Sequence, residues 1–188
     1  GPGNYSSSSG VADCTPCPSG RYSNGAKNTD CLSCAAGKAA NYPLGANDCD
    51  ICQPGTYTGA SEMTSCLQCP VGMYVGGTKA TQCFFCAVGK YANFNGTSAC
   101  SDCKAGNYSE AVGQSSCLQC PLGRFSSNAG ANSACTYCAA GTIANRALGS
   151  DQCLTCQAGT YSGVAVSRAC CNGAFSFSCS RAVVVCRV

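Results

Sequence analysis

The chain has 188 residues, 22 of them Cys, with 10% charged residues and a net charge of +3. A charge this weak and scattered excludes the basic footprint of a nucleic-acid-binding protein. The absence of His removes the usual catalytic base, and no stretch approaches the ~20 apolar residues of a membrane span.

From the N-terminus, Gly1-Pro2-Gly3-Asn4-Tyr5 fits a C-x2-G-x-Tyr pattern if a Cys stands immediately before Gly1. Residues 1–16 therefore read as an incomplete first loop, Cys14 is expected to lack its partner, and the chain reads as part of a longer, processed precursor. From Cys17 to Cys170 one unit recurs every 17 or 18 residues: C-x2-C, then Gly three residues after the second Cys, then an aromatic two residues later. The glycine stands at Gly20, Gly37, Gly55, Gly72, Gly89, Gly106, Gly123, Gly141 and Gly159, a position that wants a backbone only glycine adopts cheaply. The aromatic is Tyr22, Tyr57, Tyr74, Tyr91, Tyr108, Phe125 or Tyr161, with Ala39 and Ile143 as exceptions.

Segments such as Arg21-Tyr22-Ser23 and Thr56-Tyr57-Thr58 predict very short strands between Gly-containing turns, and no window carries a helical period. Much of the 45% hydrophobic content is Cys and Ala, so no large core can form. Burial alone would not offset the entropy of ordering such a chain. Disulfides compensate by restricting the unfolded state, each worth about 3 kcal/mol for a ~15-residue loop, and they persist in oxidising compartments. The fold class is therefore a small disulfide-rich repeat protein: an elongated rod of tandem 17–18-residue loops, with short β-strands and little helix. One aromatic per loop is the nearest thing to a core, each covering its own disulfide and the next loop; a carbohydrate-stacking row is the alternative. Each loop is expected to touch mainly its neighbours.

A longer period overlies the first. Gly3-Asn4-Tyr5-Ser6 returns as Gly106-Asn107-Tyr108-Ser109, 103 residues on, and Ala35-Ala36-Gly37 returns as Ala139-Ala140-Gly141, 104 on. Six loops thus form a superrepeat, read as a duplicated block. The array ends at Cys170-Cys171, where the two-residue spacer vanishes, and residues 171–188, with Cys179 and Cys186 at irregular spacing, read as a cap or assembly tail.

The run Cys17-Pro18-Ser19-Gly20-Arg21-Tyr22-Ser23 with Cys31 about 14 residues after Cys17 resembles the ephrin-receptor-like and TNF-receptor-like cysteine-rich repeat, and the likeness extends through Cys170. That resemblance implies an extracellular array in which the second Cys of one pair bridges the first Cys of the next: Cys17–Cys31, Cys34–Cys49, Cys52–Cys66, Cys69–Cys83, Cys86–Cys100, Cys103–Cys117, Cys120–Cys135, Cys138–Cys153 and Cys156–Cys170. An interlocked pairing is left open by the spacing. The loops are more uniform than receptor ectodomains, which favours a spacer or fibre, and are similar to arrays in large surface and flagellar-hair proteins of algae and other protists. Cys14, Cys171, Cys179 and Cys186 remain for tail closure or inter-chain links.

Paired C-x2-C motifs also suit Zn²⁺, but the one-pair-per-loop repeat argues against a metal, and no cofactor is expected. Asp48, Asp50 and Glu62 show no paired acid/base site, so the chain is not read as an enzyme. Asn4, Asn95 and Asn107 head N-glycosylation sequons. Phe84-Phe85 is the most apolar CxxC spacer; packing between adjacent loops is the bland reading, a lateral contact between copies the sharper one. The expected function is a structural extracellular rod, glycan-coated and disulfide-stabilised, a subunit of a filament or cell-surface hair whose partners are copies of itself, head to tail or lateral. A receptor or adhesin ectodomain binding a protein or glycan is the alternative.

Overall fold

The computed structural model describes residues 1–8, 13–129, 134–157, 160–161 and 171–172. Among these residues there is no helix, and every strand belongs to an antiparallel two-stranded hairpin of two or three residues per strand.

Each hairpin grows from the repeat in the same way. In Pro18-Ser19-Gly20-Arg21, the Arg21 amide donates to the Pro18 carbonyl at 3.1 Å, and Gly20 holds φ at 79°. That is a tight turn with its third residue in the left-handed region, where a side chain is strained. The chain leaves this turn as the strand Arg21–Tyr22 and returns as Leu32–Ser33, so the two residues inside each CxxC form the second strand. The aromatic therefore sits opposite the first spacer residue: Tyr22 faces Leu32, Tyr57 faces Leu67, and Tyr108 faces Leu118.

The returning strand fixes the cysteines. Cys17 is bonded to Cys31, Cys34 to Cys49, Cys52 to Cys66, and Cys69 to Cys83. Cys103 is bonded to Cys117, Cys120 to Cys135, and Cys138 to Cys153. Cys86, Cys100 and Cys156 are disulfide-bonded as well. Cys170, Cys179, Cys186 and the tail from residue 173 onward lie outside the described residues, as does Gly159.

The core holds more than the aromatics that the sequence singles out. The aromatics are only half-buried, from Tyr22 through Phe125. The fully enclosed groups are the opening cysteines, such as Cys17 and Cys34, and the small residue after the aromatic: Ser23, Ala40, Thr58, Val75, Ala92, Ser109 or Ser126. Tyr22 acts as a lid on the next loop, against Cys34, Ala40, Ala46 and Cys49. Backbone crowding explains the preference for small residues there. The Ser23 amide donates to Ala46 O at 3.0 Å while the Ser23 carbonyl accepts from the Gly3 amide at 2.7 Å, so neighbouring loops close around it.

The chain divides into two compact units, Gly1–Phe85 with Ala92–Cys100, and Cys86–Tyr91 with Ser101–Val188. Within the first unit the loops are stitched by recurring backbone bonds. Gly45 donates to Cys17 O, Glu62 to Cys34 O, Lys79 to Cys52 O and Gly96 to Cys69 O, each at 2.8–2.9 Å. The second unit repeats the contact, Gly113 donating to Cys86 O at 2.8 Å and Gly149 to Cys120 O at 2.9 Å.

These donors share a feature. Gly45, Glu62, Lys79, Gly96, Gly113 and Gly149, with Lys27, all hold positive φ. A second left-handed position thus recurs among the described loops, and at Gly45, Glu62, Lys79, Gly96 and Gly149 its carbonyl reaches two loops back. A Cβ on Gly20 would lie 2.1 Å from Glu62 O; in the second unit a Cβ on Gly106 would lie 2.1 Å from Gly149 O. Contact is therefore not confined to adjacent loops, because the recurring geometry of the turn leaves an open Cα that a more distant carbonyl fills.

Candidate functional site

The surface that the repeat presents is the CxxC spacer strand. Its two residues are exposed in every described loop from Leu32–Ser33 to Leu154–Thr155. Phe84 and Phe85 are 52% and 62% exposed. The Phe84 ring lies 6.4 Å from that of Tyr74, tilted by 53°, an edge-type aromatic pair. Phe85 sits opposite Met73. This hairpin therefore carries Met-Tyr against Phe-Phe, whereas its counterparts carry a polar or charged residue on at least one strand.

Several carboxylates serve the fold. Asp30 and Asp48 each accept the amide of the following cysteine, Cys31 and Cys49, at 2.7 Å. Asp50 lies exposed on a spacer strand opposite Ala39. Glu62 accepts from Ser33 Oγ at 2.5 Å and Arg21 Nε at 3.1 Å, tying together loops that also meet through the Glu62 carbonyl. The Ser33 hydroxyl and the Arg21 guanidinium hold its carboxyl below its usual value of 4.5. Asn145, donating to Asp151 at 2.6 Å, does the same for that carboxyl. Asp48 and Glu62 thus make separate structural contacts, while Asp50 stands exposed on its strand.

The two cysteines of a CxxC serve different bridges: Cys31 closes the loop opened by Cys17, and Cys34 opens the next. Their thiols are consumed as disulfides and offer no thiolate pair to zinc. Among the described residues no group of three or more His, Cys, Asp or Glu could hold a metal ion, and no helix is long and apolar enough to cross a membrane.

The repeat, the loop-closing disulfides and the paired two-residue strands agree with a family match. The family described as tyrosine-protein kinase ephrin type A/B receptor-like matches residues 3–43, 37–86 and 89–136. The chain belongs to the ephrin-receptor-like cysteine-rich repeat family. The ephrin-receptor-like repeat is an extracellular, receptor-type module and not an enzyme family. A comparison with curated proteins finds no match.

Three sequon asparagines are distributed over the ephrin-receptor-like loops. Asn4 and Asn107 occupy equivalent strand positions, facing Pro16 and Gln119. Their amide nitrogens donate to Pro2 O and Ala105 O at 3.3 Å. Asn95 is exposed and accepts the Val71 amide at 3.1 Å through Oδ1. Cys14 is an exposed free thiol, and Cys171 lies on a strand opposite Tyr161.

Two residue classes escaped the sequence reading. The buried small residue after each aromatic carries a readable signal, since only Ser, Ala, Thr or Val stands there from Ser23 to Ser126. The second left-handed position is hidden wherever Lys27, Glu62 or Lys79 replaces glycine.

Proposed function

We propose that the chain is a structural segment of an extracellular assembly, a spacer array whose copies associate laterally through the spacer strands around Phe84 and Phe85 and head to tail through Cys14 and the tail cysteines. The observation that carries this reading is the recurrence of one loop-to-loop contact within each unit, exemplified by Glu62 to Cys34 O and Gly149 to Cys120 O. Such repetition suits a module that spans distance, because each added loop extends the array by the same interactions. The large exposed apolar groups on the spacer strands suit contact between copies. Glycans on Asn4, Asn95 and Asn107 would cover the remaining polar surface.

A ligand-binding ectodomain is the second reading, favoured by membership in a receptor-type family. The two separate on whether the purified, oxidised chain self-associates with no other component. Association that disappears in Phe84→Ser with Phe85→Ser supports the structural reading; a chain that stays monomeric at all concentrations removes lateral association. Non-reducing mass mapping tests the head-to-tail link, which is excluded if Cys14 and every tail cysteine are free or bridged within one chain.

A further inference from the structure

Two Asn-Gly pairs lie in described loops, Asn24-Gly25 and Asn95-Gly96, and both asparagines are exposed. An asparagine followed by glycine is the arrangement most open to spontaneous loss of its side-chain amide, since no Cβ shields the following backbone nitrogen. Exposure does not separate the two pairs; the state of that nitrogen does. Gly96 donates its N–H to Cys69 O at 2.8 Å and is held at φ 73°, inside the loop-to-loop contact of the fold. Asn95 is itself pinned by the Val71 amide. The Gly25 N–H has no acceptor among the described residues, and the Asn24 side chain has no partner there either. The nearest side chain to Gly25 is Asn28, whose Oδ1 lies 3.6 Å from the place a Cβ would take.

We propose that Asn24 is a self-modifying site that deamidates with time, and that Asn95 is protected by the fold. The Gly25 nitrogen loses its proton to solvent and attacks Asn24 Cγ, forming a C–N bond and a five-membered imide. Nδ2 leaves with a proton regained from solvent, as ammonia. Water then opens the imide at either carbonyl, giving aspartate or isoaspartate; no oxidant or reductant takes part. The new carboxylate sits one residue from the enclosed Ser23 and three from Lys27, and it lowers the chain's net charge by one. In a long-lived extracellular array the modification would record age. Conversion at Asn95 must first break the Gly96–Cys69 bond, and a local opening that is populated one-tenth of the time or less slows it by at least about tenfold.

The test is peptide mapping of the oxidised, folded protein during incubation at neutral and mildly alkaline pH. It uses Thr97→Ala, which removes the sequon so that Asn95 stays unglycosylated, and follows the gain of aspartate and isoaspartate at each site. The reduced and alkylated chain serves as the unfolded reference. The expected result is conversion at Asn24 at least about tenfold faster than at Asn95 in the folded protein, rising with pH, with the two sites within about twofold of each other once the chain is unfolded and the protection is gone. Equal rates in the folded protein, faster conversion at Asn95, or no conversion at Asn24 while the unfolded chain reacts would each overturn the proposal.

Discussion

The carbonyl of Glu62 lies where a side chain on Gly20 would begin, 2.1 Å from the Cβ position, two loops away along the array. Positive φ and this close approach act on the same atom, so alanine at residue 20 meets both. Gly20→Ala is expected to destabilise its surroundings by about 2–5 kcal/mol, from left-handed strain together with a backbone clash. Hydrogen exchange reads this directly, as lost protection of the Cys34 amide, which donates to Gly20 O, and of the Glu62 amide, which donates to Cys34 O. Gly77→Ala, where a Cβ would meet nothing within 4 Å, should stay within about 0.5 kcal/mol of the parent. Equal effects at the two sites would contradict the close-approach argument.

Lys79 occupies the left-handed position that Gly45, Gly96 and Gly113 fill elsewhere, at φ 58°. Lys79→Gly relieves strain worth about 1–2 kcal/mol and gives back part of it through greater unfolded-chain entropy. A net gain of up to about 1 kcal/mol is expected, seen as slower exchange of the residue 79 amide on Cys52 O. A loss of protection would show that the lysine side chain matters more than its backbone.

Thr58 is enclosed, and its Oγ1 accepts the Gly37 amide at 2.7 Å. Thr58→Val keeps the shape and removes the acceptor, while Gly37 retains the Thr58 carbonyl at 3.0 Å. The expected cost is about 1 kcal/mol, measured as faster exchange at Gly37. Thr58→Leu, which must expand a closed site, should cost about 1–3 kcal/mol.

The Glu62 carboxyl titrates below its ordinary value in the folded protein, chiefly through Ser33 and then Arg21. A depressed folded value means a contribution to stability that is fully present above the ordinary value of 4.5 and is lost as pH falls through the folded value. An NMR titration of the Glu62 side chain should show the depressed midpoint, and Ser33→Ala and Arg21→Ala should each raise it. An unchanged midpoint in Ser33→Ala would contradict the assignment.

These residues also show which physical signals a sequence carries. The CxxC spacing, the glycine three residues on and the following aromatic report a local turn and hairpin, so hairpins such as Arg21–Tyr22 with Leu32–Ser33 were legible, as was the family. The reach from Glu62 to Gly20 was not, because a backbone carbonyl makes it and no side-chain type announces a carbonyl's direction. The core was only partly legible for a related reason: nothing in the residue types of Ser23, Thr58 and Ser109 announces their burial, although the loops close so tightly there that only a small side chain fits. The exposed spacer strand was half legible. Phe84-Phe85 stood out by composition, but only the hairpin register, with Met73 and Tyr74 opposite, shows that the whole hairpin is apolar.

The most direct test of the structural reading is sedimentation velocity of the purified, fully oxidised chain over a wide concentration range, alone and as Phe84→Ser with Phe85→Ser. The account predicts reversible, concentration-dependent self-association that the double substitution abolishes while the hairpins and disulfides persist. A parent chain that remains monomeric throughout, or a double variant that associates as strongly as the parent, would contradict it.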